Sequence, residues 1–210
     1  MSRNFDFAVF IGRFQPFHNG HLHVLSSALH QADRVILLIG SAWQPRSLHN
    51  PWTHQERENM VRACLSEHDN QRLSCLPLED VPESDDIWVQ TVNAIVANLS
   101  AACSAPHITL VGHHKDATGF YLDLFPRWAR LNMENHLSIS ATPIRTSYFS
   151  ASTHGAAKAA IAALNTKGML PGPVADWLRD FADSHDFSRL HHEAMMQTIG
   201  PSRTADVKIF

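Results

Sequence analysis

The chain has 210 residues, 44% of them hydrophobic and 18% charged, with a formal net charge of −3. That size supports one medium α/β domain with its own core, and the charge excludes a general electrostatic attraction to nucleic acid or an anionic membrane. No run approaches 18 uninterrupted apolar residues, residues 1 to 6 lack the regions of a signal peptide, and Cys64, Cys75 and Cys103 form no CxxC; the cytoplasm is the expected compartment.

Taken in order, the first element is an apolar run, Phe7 to Ile11, that predicts a buried strand. It leads through GRFQPFHNGH, Gly12 to His21, into a helix with apolar residues at Leu22, Leu25 and Leu29. Helix N-terminal amides are unpaired and carry partial positive charge, so such a junction receives phosphate. His18 and His21 with Gly20 between them form HxGH, where the glycine permits close approach and the imidazoles add donors. On residue types alone, the alternative is that both histidines cap the helix and Arg13 is a surface charge.

Arg34 to Ile39 predicts the second strand, ended by Gly40-Ser41. After a polar loop, Thr53 and Glu56 form a capping box for a helix to about Glu67. Residues 72–78 read as a third strand weakened by Pro77, and an acidic loop precedes a helix from Ile87 to about Leu99. His107 to Val111 is the fourth strand, stopping at Gly112. This alternation predicts an α/β fold with a doubly wound parallel sheet, whose ligands gather beyond the strands' carboxyl ends at Gly12, Gly40, Glu79-Asp80 and Gly112.

Further on, His136 to Ile139 is the expected last strand, and Ser140 and Thr142 open a helix. Ala156 to Leu164 continues helical, Leu170 to Pro173 is a break, and Val174 to Phe181 and Phe187 to Met196 predict short amphipathic helices. Residues 1–170 therefore form the main domain, and 171–210 a helical extension or connector. The 15 histidines are mostly scattered and include no HExxH, so they read as solvated surface and no metal ligands are assigned. In the segment ISATPIR, Ile139 to Arg145, the hydroxyls and free amides of a helix start stand beside a guanidinium fork suited to phosphate. Two helix termini could grip one triphosphate.

The pairing of GRFQPFHxGH with ISxTxxR resembles the HxGH nucleotidyltransferase superfamily. More narrowly, the chain is similar to nicotinamide mononucleotide adenylyltransferases of the archaeal type and to the adenylyltransferase half of bacterial fusions with a Nudix hydrolase. The resemblance covers roughly residues 5–185 and implies a Rossmann-like nucleotidyltransferase fold. It also implies transfer of AMP from ATP to nicotinamide mononucleotide, giving NAD and pyrophosphate, with Mg²⁺ held mainly through the ATP phosphates. Arg13, His18, His21 and Arg145 would be catalytic, and Gly12, Phe14, Gln15, Gly20, Gly112, Ser140 and Thr142 would bind ATP.

Asn50-Pro51-Trp52-Thr53 with Glu56-Arg57 matches the family's (N/D)P(F/W)T…ER pattern, and the basic residue that precedes this proline falls to His49 or Arg46, which stays open. Ser41, Asn50, Arg57, Asp85 and Trp88 would meet the mononucleotide, Trp88 by stacking on the cationic pyridinium. Without the family, Trp88 reads as a core residue of its helix. Lys115 and Asp116 would border the nucleotide. Catalysis would be alignment plus stabilisation of charge on the α-phosphate and leaving pyrophosphate, with no covalent enzyme intermediate.

ATP and nicotinamide mononucleotide are the expected partners, without nucleic acid or membrane; homo-oligomerisation and fusion to a Nudix domain stay open. Two alternatives remain: another acceptor, nicotinate mononucleotide or phosphopantetheine, and a non-catalytic nucleotide-binding module. No GxxxxGK[ST] or Nudix box occurs.

Overall fold

The computed structural model describes residues 3–112, 123–132 and 139–199. Within them, five strands form a single parallel sheet: β1 (Phe5–Gly12), β2 (Ala32–Ile39), β3 (Leu73–Pro77), β4 (Ile108–Gly112) and β5 (Ala129–Asn132). Their order is β3-β2-β1-β4-β5. The described helices are α1 (Asn19–Gln31), α2 (His54–Ala63), α3 (Glu67–Gln71), α4 (Asp85–Leu99), α5 (Ala141–Phe149), α6 (His154–Thr166), α7 (Gly172–Phe181) and α8 (His185–Ile199). The doubly wound parallel fold read from the sequence is the fold observed.

β1 lies in the middle because it is apolar on both faces, as a strand covered by helices above and below must be. Ala8 and Phe10 join a core with α1, α2 and α5 to α8, while Phe7, Val9 and Ile11 face a second core built with α4. β2 alternates in the same way, with Val35, Leu37 and Ile39 on the first face and Ile36 and Leu38 on the second. The chain runs outward from β1 to β3 and then returns past it to β4. That reversal puts the topological switch point between β1 and β4, where such sheets open a crevice.

Two elements differ from the sequence reading. The helix expected to reach Glu67 ends at Ala63, and Ser66 caps a separate turn, α3. The fifth strand described is Ala129–Asn132, paired with Thr109 to Gly112, a segment the sequence reading left out of the sheet. Ile139 is not in a strand, and 136–138 fall outside the described residues, as do Lys115, Asp116 and everything from 200 on. Pro77 is tolerated because it closes an edge strand, where its missing N–H costs little. Beyond 171, Val174, Leu178, Phe181, Phe187 and Leu190 are buried in the same core as Phe14, Trp52 and Tyr148.

Candidate active site

The loop from β1 to α1 is held by packing before any ligand arrives. Phe14 takes a left-handed backbone, φ 52°, and folds its ring back beneath Gly12. A Cβ at Gly12 would lie 2.7 Å from that ring, so the position admits only glycine without rearrangement. Phe14 is 1% exposed and meets the rings of Phe10, Phe17 and His21. The ATP-binding role expected of Phe14 therefore cannot come from its ring, which is the floor of the loop.

His18 is the N-cap of α1: its Nδ1 accepts the His21 backbone N–H at 3.3 Å. In a neutral ring that bond leaves the proton on Nε2, which becomes a donor. The His21 ring stacks on His18 at 3.6 Å between centroids. Gly20 makes room, since a Cβ there would meet the His18 ring at 3.1 Å. HxGH thus places two imidazoles side by side at a helix N-terminus.

Arg13 reaches across to the loop after β2. Its Nη1 lies 2.6 Å from His49 Nε2, and its Nη2 donates to the His49 carbonyl at 2.8 Å and to Asn50 Oδ1 at 2.6 Å. Because a guanidinium only donates, His49 Nε2 must accept, which fixes a neutral ring with its proton on Nδ1. Burial and the nearby charges of Arg13 and Arg145 push the His49 pKa below its ordinary value.

Arg145, on α5, is 9% exposed and donates from Nη1 to the Gln15 carbonyl at 2.6 Å and from Nη2 to Thr142 Oγ1 at 3.1 Å. Burial, reinforced by Arg13, lowers its pKa to about 10. Ser140 is the N-cap of α5 but makes no side-chain capping bond, and both it and Thr142 are exposed. The arrangement gathers Arg13, Arg145 and His49 with the two histidines of α1. Asp80, beyond β3, is the carboxylate whose field reaches Arg13 and His49, and it accepts the Ser41 N–H at 3.1 Å. Such a cluster is an electropositive hollow suited to a polyanion.

Several residues expected at the ligand have other work. Arg57 is 1% exposed, and four of its N–H groups donate to the carbonyls of Thr53, Arg13, Gly40 and Ser41. In that geometry Arg57, expected at the mononucleotide, ties the loops after β1 and β2 together from beneath. Burial drops its pKa to about 10. Gln15 clasps Trp52 in both directions, Nε2 to its carbonyl and its N–H to Oε1, which again is scaffolding and not a side-chain contact for ATP. Arg46 is paired with Glu56 and Asp186, so of the two basic residues only His49 meets Arg13.

Gly112 ends β4 at the carboxyl edge beside β1. Ser41 is buried with φ 49°. Asp85 is exposed at the start of α4, and Trp88, one turn on, is half-buried with its ring 6.0 Å from Phe125 in the second core. Asp80 was seen in the sequence only as a strand end, because nothing local says that its carboxylate would turn back to Ser41. Among the described residues, no group of three or more His, Cys, Asp or Glu could hold a metal ion, and no helix is long and apolar enough to cross a membrane.

Residues 9–147 match the model of the cytidylyltransferase-like family. The chain is 36% identical over 198 residues to a nicotinamide/nicotinic acid mononucleotide adenylyltransferase of Acinetobacter baylyi, covering 92% of this chain and 95% of that one. It is 33% identical over 133 residues to a nicotinamide-nucleotide adenylyltransferase of Picrophilus torridus, covering 62% and 78%. Among solved structures it resembles a bifunctional NMN adenylyltransferase/ADP ribose pyrophosphatase from Francisella tularensis, with TM-score 0.76 and 26% identity, covering 94% of this chain. The chain spans 58% of that bifunctional protein.

Proposed function

The chain belongs to the cytidylyltransferase-like family, and from that premise we propose that it transfers AMP from ATP to nicotinamide mononucleotide, forming NAD and pyrophosphate. The observation that carries this reading is the convergence of two helix N-termini, at HxGH and at Ser140, with Arg13, Arg145 and His49. The likeness to the Acinetobacter baylyi enzyme over nearly the whole of both chains supports the same reaction.

The acceptor's 5′-phosphate oxygen attacks the α-phosphorus, and the bond from that phosphorus to the bridging oxygen of the β-phosphate breaks. Electrons of the broken bond leave with pyrophosphate, so no enzyme nucleophile or general base is needed. What the protein supplies is alignment and positive charge. His18 Nε2–H and His21 stabilise the negative charge that grows on the phosphates. Arg13 and Arg145 hold the chain of phosphates from opposite sides, with the uncapped amides at Ser140 as further donors. A divalent cation, Mg²⁺, would ride on the phosphate oxygens and water, since phosphates supply hard oxygen ligands themselves. The Francisella protein crystallised with AMP and a manganese ion supports a divalent cation in this fold. Trp88 would stack on the pyridinium of the acceptor.

The Acinetobacter relative's name covers both nicotinamide and nicotinic acid mononucleotides, so nicotinate mononucleotide is the second acceptor to test. Pyrophosphate release from ATP is to be measured with each mononucleotide. Faster turnover with the amide supports the assignment, and turnover with phosphopantetheine alone would overturn it.

A further inference from the structure

We infer that Arg46 is a positioning residue of the polyphosphate site and that helix α8, through Asp186, is the brace that holds it; the inference rests on the adenylyl-transfer reading. Sequence spacing makes Arg46 and His49 equal candidates for a phosphate contact. The geometry separates them. Arg46 forms a fork on Glu56, Nη1 to Oε2 at 2.7 Å and Nη2 to Oε1 at 3.1 Å, and Nη1 also donates to the Pro51 carbonyl at 2.7 Å. Its Nε pairs with Asp186 Oδ2 at 3.1 Å, and its guanidinium lies 5.7 Å from the Phe181 ring centroid. Four of five N–H groups are thereby engaged, leaving too little for a phosphate.

The bonds of Arg46 join both ends of the segment from 46 to 56 to the C-terminal helices. Within that segment stand His49 and Asn50, the two partners of Arg13. Gln15 grips the same segment at Trp52, so the loop that receives Arg13 is fixed from two sides. α8 adds a second tie, Arg189 Nη2 to the Arg46 carbonyl at 3.4 Å. It also forms one wall, at Ala194 and Thr198, of a cavity of about 410 Å³ whose other walls include His49 and Arg145. The spacing between α8 and the loop therefore sets the width of the hollow at its polyphosphate end. Asp186 is 41% exposed, so the pair adds little to stability and acts chiefly through geometry.

The test uses the full chain, with ATP affinity read by calorimetry without acceptor and steady-state rates read with nicotinamide mononucleotide. Asp186→Asn is expected to weaken ATP binding and raise KM for ATP about fivefold, and Arg46→Lys about tenfold, because small misplacements of binding groups are costly. KM for the mononucleotide and the melting temperature should stay near wild type, and Asp186→Glu should restore ATP affinity. Unchanged ATP affinity in both variants would overturn the brace. So would a loss of kcat and melting temperature with both KM values fixed, the mark of a merely structural role. A wild-type chain that binds ATP but releases no pyrophosphate with any mononucleotide would overturn the adenylyl-transfer reading and leave the brace to be judged on ATP affinity.

Discussion

The two helix termini that face one another in the site are built on opposite plans. At α1 the side chain of His18 caps the first turn by accepting the His21 N–H, His18 is 5% exposed, and the rings of Phe14 and Phe17 pack against His21. At α5 the N-cap Ser140 makes no side-chain capping bond and lies exposed, and burial begins a turn later with Ile144 and Arg145. The difference teaches a division of labour. On the proposed function, the α1 end holds its imidazoles in a fixed geometry, whereas the α5 end, without a side-chain cap, is left for a ligand to complete.

The strongest way to break this contrast is to remove an imidazole. His21→Ala and His18→Ala are each expected to lower kcat by about 10²–10³, the usual cost of losing one preorganised donor, with the circular dichroism spectrum unchanged. A near-normal kcat would end the assignment. Next, Arg145→Lys keeps the charge but loses the fork that spans Gln15 and Thr142, and should cost about 10- to 100-fold in kcat/KM for ATP. An unchanged value would mean that Arg145 serves only the loop.

A sharper probe of the α5 end compares two caps. Ser140→Ala should leave the melting temperature alone, because no capping bond is lost, while weakening ATP binding by about fivefold. Thr53→Ala breaks a complete capping box and should destabilise the fold by about 1 kcal/mol. Equal melting losses in the two variants would erase the distinction drawn here.

The smallest effect concerns pH. The folded pKa of His49 lies below the unfolded one, so the unfolded state binds more protons over the window just under pH 6.5. Stability of the ligand-free chain therefore rises with pH through that window and falls as the pH is lowered. A bound polyphosphate favours the imidazolium, so ATP binding should take up protons there and strengthen as pH falls. Calorimetry in buffers of different ionisation heat should register that uptake in the wild type. If His49→Gln takes up as much, His49 is not the group.

The sequence carried the fold well where signals are local. The apolar runs at 7–11 and 34–39 end in glycines, and Thr53 with Glu56 announces α2 by a capping box that the structure contains. β5 was not legible, because four residues with an arginine among them carry no period and become a strand only through pairing with β4. The HxGH turn is likewise local, which is why its position could be read directly. The work of Arg57 and Gln15 could not be read, since a motif gives residue type and spacing but not which carbonyls the chain will bring beneath a guanidinium. Arg46 and His49 differ by three positions, and their partners in the fold tell them apart, Glu56 and Asp186 for the one and Arg13 for the other.

Trp52 offers a way to watch that part of the fold optically. Its indole is 1% exposed among Tyr148, Phe149 and Phe181, its backbone is clasped by Gln15, and its Nε1 finds no hydrogen-bond partner among the described residues. An indole so enclosed emits at short wavelength and resists aqueous quenchers, whereas Trp43, 64% exposed, is open to them. Of the chain's five tryptophans, Trp52 thus reports the seam between the loop and the C-terminal helices and Trp43 reports solvent, each read cleanly once the other four are replaced by Phe.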